Sequence, residues 1–178
     1  MRQIVIGFSR PSNLNPISRA IMWLEGTKFS HCYVCWYSGY AKTHLYYHAS
    51  IHGLNFMSQE IFAGKNKTME RLVFDVTDEQ RQELVRLCID NSGLSYGYLT
   101  LLGMGLVRLA SRFGIKLSNP LSDKKSSYIC TEWVGNIVHN ILKYDGVPED
   151  LESIGLIETL EFTKRAHEVL NNVTISEA

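Results

Sequence analysis

The sequence predicts an α+β fold in which an antiparallel sheet packs against helices. Residues 3–8 form an apolar run rich in Ile and Val, and residues 31–37 and 44–51 are two further β-rich runs joined by a short loop. Helical patterns with recognisable capping residues lie around these runs. Because strands joined by hairpin-like loops come early and helices surround them, we expect one α+β domain over residues 1–178.

The first elements are predicted from their boundary residues. A strand covers residues 3–8, and a loop follows over residues 11–15. Asn15 is a favoured helix N-cap, Pro16 suits the first helical position, and apolar residues then recur at helical spacing until Gly26. The loop over residues 38–43 has the composition of a hairpin connection, so the two runs beside it are predicted to pair antiparallel.

The second half of the chain is predicted to be mostly helical. Residues 71–76 predict a strand, and Thr77 and Gln80 have the spacing of a capping box opening a helix that ends near Gly93. An apolar helix is predicted over residues 96–113, a loop over residues 118–127, and a helix from Cys130 onward. A weaker helix is predicted over residues 160–170, and the last residues are expected to fray.

Charge and hydropathy exclude several classes of function. The 178 residues include 18 basic and 18 acidic side chains and no long block of like charge, so we expect no nucleic-acid partner. The N-terminal apolar run is too short for a signal peptide, and the longest apolar stretch, residues 99–110, is shorter than the ~20 residues that cross a bilayer. We therefore expect a cytoplasmic protein with no stable membrane span. For residues 99–110 a buried helix is favoured, and a membrane-touching or acyl-binding surface is the alternative.

Cys130 is the strongest candidate for a nucleophile. The chain has four cysteines, and without an export signal they are expected to be reduced thiols. Cys130 stands where a short polar segment turns into the first turn of a helix. The free N–H groups and dipole of a helix N-terminus favour a negative sulfur, and a nearby imidazolium lowers a thiol pKa from about 8.5 towards ~3.5–7.5. The same N–H groups can hold the oxyanion of a tetrahedral intermediate.

Two histidines of the predicted hairpin are candidates for the base and its orienting group. A tight turn at Gly39 places His31 directly opposite His48, whereas pairing of Tyr37 with His44 makes them diagonal neighbours. Either register puts both imidazoles on one face of the sheet, and a slip by one residue separates them. In the productive registers, His31 is predicted as general base and acid and His48 as the group that orients its ring.

Other interpretations of these residues stay open at this point. A cysteine at the start of an apolar helix face is often core filler, and a hairpin histidine is often structural. Cys32 and Cys35 form a C-x-x-C pair that could bind zinc, but a flat strand points them to opposite faces, so no metal or cofactor is predicted. Cys35 shares a strand face with His31 and is a rival nucleophile.

Three aromatic residues are predicted to wall the substrate cleft. Tyr128 and Trp133 flank Cys130, and Tyr33 shares the strand face of His31. Packing in the core explains all three equally well.

Three short motifs together resemble a known family. They are Ser30–His31 at the opening of a strand, His48 within LYYHAS, and YICTEWV around Cys130, in that order. This set resembles the circularly permuted NlpC-like branch of the papain-like thiol hydrolases, which includes permuted amidases or peptidases and lecithin–retinol acyltransferase-like enzymes. In that branch the histidine strand precedes the cysteine helix, and the likeness covers most of residues 4–152. Thr131 stands where the family commonly has serine.

The resemblance implies a permuted papain-like fold and a specific chemistry. It implies a thiol hydrolase that cleaves an amide, peptide or isopeptide-like, through an acyl-thioester on Cys130, with His31 and His48 in the roles above. A lipid acyltransferase or acyl hydrolase using the same triad, and a binding module without catalysis, are the alternatives. The expected partner is a peptide, amide or acyl substrate, and the missing export signal is compatible with a viral or phage source.

Overall fold

The computed structural model describes residues 2–50, 52–121 and 127–176. Its strands, in chain order, are β1 (Arg2–Pro11), β2 (His31–Ser38), β3 (Thr43–Ser50), β4 (Gly53–Ser58), β5 (Asn66–Val76), β6 (Ser95–Tyr96) and β7 (Ser127–Tyr128). Its α-helices are α1 (Pro16–Glu25), α2 (Gln59–Lys65), α3 (Asp78–Asp90), α4 (Tyr98–Arg112), α5 (Cys130–Asn140) and α6 (Leu156–Ser176), with a 3-10 turn at Leu151–Ser153. The predicted α+β class is confirmed.

The main sheet has five strands in the order β4-β3-β2-β1-β5, and every neighbouring pair is antiparallel. A second, two-stranded sheet pairs β6 with β7 in parallel, and it aligns Tyr96 with Tyr128. This small sheet has a consequence for the site, because it brings the chain just before α4 beside the chain just before α5.

The two faces of the main sheet carry cores of different size. The larger face is covered mainly by α5 and α6, and its centre is the fully buried residues Ile4, Ile6 and Phe8 of β1. The smaller face holds a separate cluster of Val5, Tyr33, Cys35 and Phe62, the last from α2. Side chains alternate between faces along a strand, so Cys32 and Cys35 of β2 point into different cores, as the sequence predicts.

The pairing of β2 with β3 fixes the register that the sequence left open. Tyr37 lies opposite His44 and Val34 opposite Tyr47. This is the alternative with the wider connection, and it makes His31 and His48 diagonal neighbours on one face of the sheet.

Most predicted helix boundaries agree with the structure. The Asn15 side chain accepts a hydrogen bond from the Ser18 N–H at 2.8 Å, and Gly26 ends α1 in the left-handed region with φ 66°. Both hydrogen bonds of the Thr77–Gln80 capping box are present at the start of α3. Local capping chemistry therefore determines these boundaries.

Several elements differ from the sequence prediction. β4 and α2 were not predicted, because residues 53–65 show neither a clean two-residue nor a clean helical period. α6 begins earlier and ends later than the predicted helix over residues 160–170. Part of the predicted loop over residues 118–127 and the last two residues, which were expected to fray, lie outside the described residues.

The favoured prediction of a buried helix over residues 99–110 is wrong. The helix forms, but Leu99, Leu102, Leu106 and Leu109 are between 43% and 60% exposed. Only Thr100, Gly103 and Met104 of α4 are buried, because neighbouring elements cover one side of the helix and leave the opposite side in solvent. Among the described residues, no helix is both long enough and apolar enough to cross a membrane.

Candidate active site

Cys130 is the first residue of α5. The preceding residue, Ile129, is extended and caps the helix with its backbone, while its N–H donates to a Glu132 carboxylate oxygen at 2.7 Å. The first N–H groups of a helix have no partner within the helix, so the sulfur lies at the positive end of α5. Cys130 is only 7% exposed, but it lies in the wall of a cavity described below.

Hydrogen bonds to the Cys130 sulfur favour its thiolate form. The side chain of Cys32 contributes the largest effect, and the His31 ring and the Cys32 backbone N–H add to it. Together they outweigh burial and lower the pKa of the Cys130 thiol well below its ordinary value. The structure therefore brings Cys130 and His31 together, and it adds Cys32, which sequence reasoning did not assign to the site.

His31 is held by His48 from its other side. The Nε2 atom of His31 lies 3.0 Å from the Nδ1 atom of His48, and the two rings meet edge to face. Burial, with the neighbouring His31 and Lys65, lowers the pKa of His48 to about 3, so this ring is neutral near pH 7. A neutral His48 can accept the His31 Nε2–H at its own Nδ1, which leaves the Nδ1 atom of His31 available to a second partner.

The other three thiols are in environments that disfavour their ionised form. Burial raises the pKa of Cys35 to about 11, and burial also raises the pKa values of Cys32 and Cys88. Cys35 lies in the smaller core with Tyr33 and Phe62 rather than beside a helix N-terminus. The interpretation of Cys35 as a rival nucleophile is therefore not supported.

Tyr96 is a further candidate that the sequence did not reveal. Its side chain lines the same cavity as Cys130. Burial, followed by the proximity of Cys130 and Cys32, raises the pKa of the Tyr96 phenol, which keeps the hydroxyl protonated and able to donate a hydrogen bond. Its position depends on the pairing of β6 with β7, and no local pattern signals that pairing.

Glu132 adds a second titratable group close to the sulfur. Burial is the main cause that raises the pKa of this carboxyl to about 7, and the nearby Glu152 and Cys130 raise it further. Its hydrogen bond from the Ile129 N–H acts in the opposite direction. Near neutral pH the carboxyl is therefore partly protonated.

An apolar cavity of about 320 Å³ runs between α1 and α4 and reaches Cys130. Its walls are mostly aliphatic and aromatic side chains: Ile17, Ala20, Ile21, Leu24, Tyr96, Tyr98, Leu101, Leu102, Met104, Ile129 and Leu156. The half-buried ion pair of Arg108 with Glu25, at 3.0 Å, supplies its charged part.

Two hydroxyls also lie in the cavity wall beside Cys130. They belong to Ser30 and Thr131, and both are buried without a hydrogen-bond partner among the described residues. Buried hydroxyls usually have a hydrogen-bond partner, so these two are unusual in the described part of the chain.

The three aromatic residues predicted to contact substrate do not line this cavity. Trp133 is 2% exposed and packs against Tyr128, which is itself half-buried. Tyr33 is fully buried on the smaller face of the sheet, where its hydroxyl lies 3.1 Å from the Thr68 hydroxyl. Their packing accounts for them as core residues, so we assign none of them to the cleft.

Among the described residues, no group of three or more His, Cys, Asp or Glu side chains is placed to hold a metal ion. In particular, Cys32 and Cys35 lie in different cores. Comparisons with known proteins add no assignment, because no family model and no curated protein matches the chain.

Proposed function

We propose that the protein is a cysteine hydrolase that cleaves an amide bond, peptide or isopeptide-like, through an acyl-thioester on Cys130. One observation carries this proposal: Cys130, at the N-terminus of α5, lies close enough to His31 for that ring to lower its pKa, and the His31 ring is in turn 3.0 Å from His48. Cys130, His31 and His48 are thus arranged as the nucleophile, the base and the group that orients the base, which is the order that covalent catalysis requires.

The reaction follows from these contacts in two steps. The Cys130 thiolate attacks the carbonyl carbon, and the protonated His31 ring then gives its proton to the leaving nitrogen as the C–N bond breaks. A water molecule, deprotonated by His31, next attacks the thioester, releases the acid and restores the thiol. The Cys130 N–H and the Tyr96 hydroxyl are the donors we assign to the oxyanion.

The chain order of the site supports a permuted papain-like arrangement as part of this proposal. His31 and His48 come from β2 and β3, and Cys130 comes later, from α5. This is the order expected from the resemblance to permuted NlpC-like enzymes.

Acylation by a simple activated ester tests the proposal without knowledge of the substrate. With 4-nitrophenyl acetate, we expect a burst of 4-nitrophenol and a mass increase of one acetyl group on Cys130. Cys130→Ala should lose both signals, and Cys88→Ala, which removes a different buried thiol, should keep them. Acetylation that persists in Cys130→Ala, or that never occurs in the wild type, would refute the proposal and favour a binding module without catalysis.

The cavity favours a second candidate function, the hydrolysis or transfer of a lipid acyl group by the same residues. The 320 Å³ cavity is in the size range of small-molecule pockets, and its aliphatic and aromatic walls suit an acyl chain. Gly105 lines the cavity, and a Cβ added there would meet only Leu24 at 3.8 Å, so the Cβ of Gly105→Leu fits and the rest of its side chain should narrow the cavity.

A comparison of chain lengths separates the two candidates. For lipid acyl chemistry, 4-nitrophenyl decanoate should acylate Cys130 faster than the acetate does, and Gly105→Leu should slow only the decanoate. If both esters react equally fast with the wild type and with Gly105→Leu, the cavity does not hold the acyl chain. The proposal of an amide hydrolase is then retained.

A further inference from the structure

An apolar stripe runs along the exposed side of α4. Leu99, Leu102, Leu106, Leu109 and Phe113 recur at alternating spacings of three and four residues, which places them on one side of the helix. Their exposed fractions lie between 43% and 76%. So many large apolar side chains on one side of a surface helix are unusual for a protein that leaves this side in water.

The neighbouring helix α1 extends this surface. α1 packs against α4, and its Ile17 and Trp23 are 59% and 63% exposed. We call the four α4 leucines, Phe113 at the C-cap of α4, Ile17 and Trp23 together the apolar face.

The apolar face is continuous with the cavity that reaches Cys130. Ile17 and Leu102 are exposed members of the face, and both also line the cavity. The cavity therefore opens between α1 and α4 within the face itself. A molecule held against the face has an apolar path towards the sulfur.

The charge beside the apolar face is positive. Residues 96–121 contain Arg108, Arg112 and Lys116 and no Asp or Glu. Arg108 is paired with Glu25 and Glu158, whereas Arg112 and Lys116 are exposed and form no ion pair within the described part of the chain.

Trp23 lies at the boundary between the apolar and the cationic parts of this surface. The guanidinium of Arg112 lies over its ring, 4.1 Å from the ring centroid. Exposed Leu and Phe with Trp and flanking cations form the composition of surfaces that lie in the interface of an anionic bilayer.

We propose that the apolar face docks on an anionic lipid bilayer surface and inserts only as deep as the headgroup boundary. Docked in this way, α4 lies in the plane of the interface, and the cavity mouth faces the acyl chains. The docking itself needs no chemistry at Cys130; only the passage of an acyl chain to the sulfur rests on the proposed function.

A second copy of the chain is a poorer occupant of the same face. Pairing of two α4 stripes would place Arg112 and Lys116 of both copies at one interface, with no acidic residue of residues 96–121 to neutralise them. Such pairing would also cover the residues at the mouth of the cavity. Anionic headgroups satisfy the same cations directly.

Cosedimentation with vesicles tests the proposal without any turnover. We expect the wild type to bind vesicles of equal parts phosphatidylcholine and phosphatidylglycerol more tightly than phosphatidylcholine alone. The double variant Leu102→Glu/Leu106→Glu should bind at least about tenfold more weakly. Ile89→Glu, a matched change at an equally exposed site on α3, should bind within about twofold of the wild type.

A second pair of changes tests the charge without altering the apolar stripe. Arg112→Gln and Lys116→Gln should each weaken binding to the anionic vesicles about fivefold. Lys116→Gln should show no loss on phosphatidylcholine, whereas Arg112→Gln also removes the guanidinium from the Trp23 ring. Both side chains are exposed, so these variants keep the test valid if the double leucine variant fails to fold.

Three results would overturn the proposal. One is a wild type that does not sediment with anionic vesicles, and another is equal binding by all the variants. The third is a dimer in light scattering that Leu102→Glu/Leu106→Glu converts to monomer, which would assign the face to a second copy. Failure of Cys130 acylation with vesicle binding intact would count against the proposed function alone.

Discussion

Replacement of Cys32 by alanine should raise the pKa of the Cys130 thiol by about one unit. The Cys32 side chain contributes the largest effect that lowers this pKa. A hydrogen bond to an ionised group contributes about 1.5–3 kcal/mol, and because S–H is a weak donor the lower end applies. At 1.36 kcal/mol for each pKa unit, this gives a rise of about one unit. The His31 ring and the Cys32 backbone N–H still contact the sulfur, so the shift should be partial.

The rate of Cys130 alkylation by iodoacetamide, followed by mass spectrometry across the acid to neutral range, measures this shift. The midpoint of the rate profile should move to higher pH by about one unit in Cys32→Ala. Cys88→Ala removes another fully buried thiol and should leave the midpoint unchanged. A midpoint that is the same in Cys32→Ala and the wild type would refute the assignment of Cys32 as a partner of the thiolate.

Two further predictions concern Glu132 and His48. The pKa of Glu132 is raised from 4.5 to about 7, so between these pH values the folded state retains a proton that the unfolded chain releases. The free energy of unfolding should therefore fall by at most about 3 kcal/mol as the pH rises through this range. Glu132→Gln keeps an oxygen acceptor for the Ile129 N–H and should remove most of that fall in urea unfolding; an unchanged fall would contradict the pKa assignment. His48→Ala should slow acylation by 4-nitrophenyl acetate up to about a hundredfold. His48→Asn retains an acceptor for His31 and should recover part of the rate. Equal rates in the wild type and both variants would exclude an orienting role for His48.

The hairpin shows how far the sequence determines this fold. Alternation and turn composition predict both strands and limit the register to alternatives that put His31 and His48 on one face. The choice between those alternatives depends on the conformation of the connection between residues 38 and 43, which composition does not determine. The helix that begins at Cys130 is likewise predicted from local sequence, because both its start and its apolar spacing can be recognised there.

The parts of the site that the sequence missed all depend on contacts between distant segments. Alternation places Cys32 on the sheet face opposite His31, yet both reach Cys130, because His31 is the first residue of β2 and α5 begins beside that strand end. Tyr96 is positioned near Cys130 by the pairing of β6 with β7.

The exposure of α4 was predicted wrongly for a different physical reason. Its apolar residues cover nearly every side of the helix, so the sequence does not show which side a neighbour covers. Packing against α1 covers one side and leaves the leucine stripe exposed.

Competitive labelling of the four cysteines in the native wild type tests the central claim most directly. With a limiting amount of iodoacetamide in mildly acidic buffer, where an ordinary thiol with a pKa of about 8.5 is almost fully protonated, only a thiolate reacts quickly. Cys130 should be modified at least about tenfold faster than Cys32, Cys35 or Cys88. A Cys130 that reacts no faster than the other three, or only after unfolding, would contradict the claim that its sulfur is an activated nucleophile.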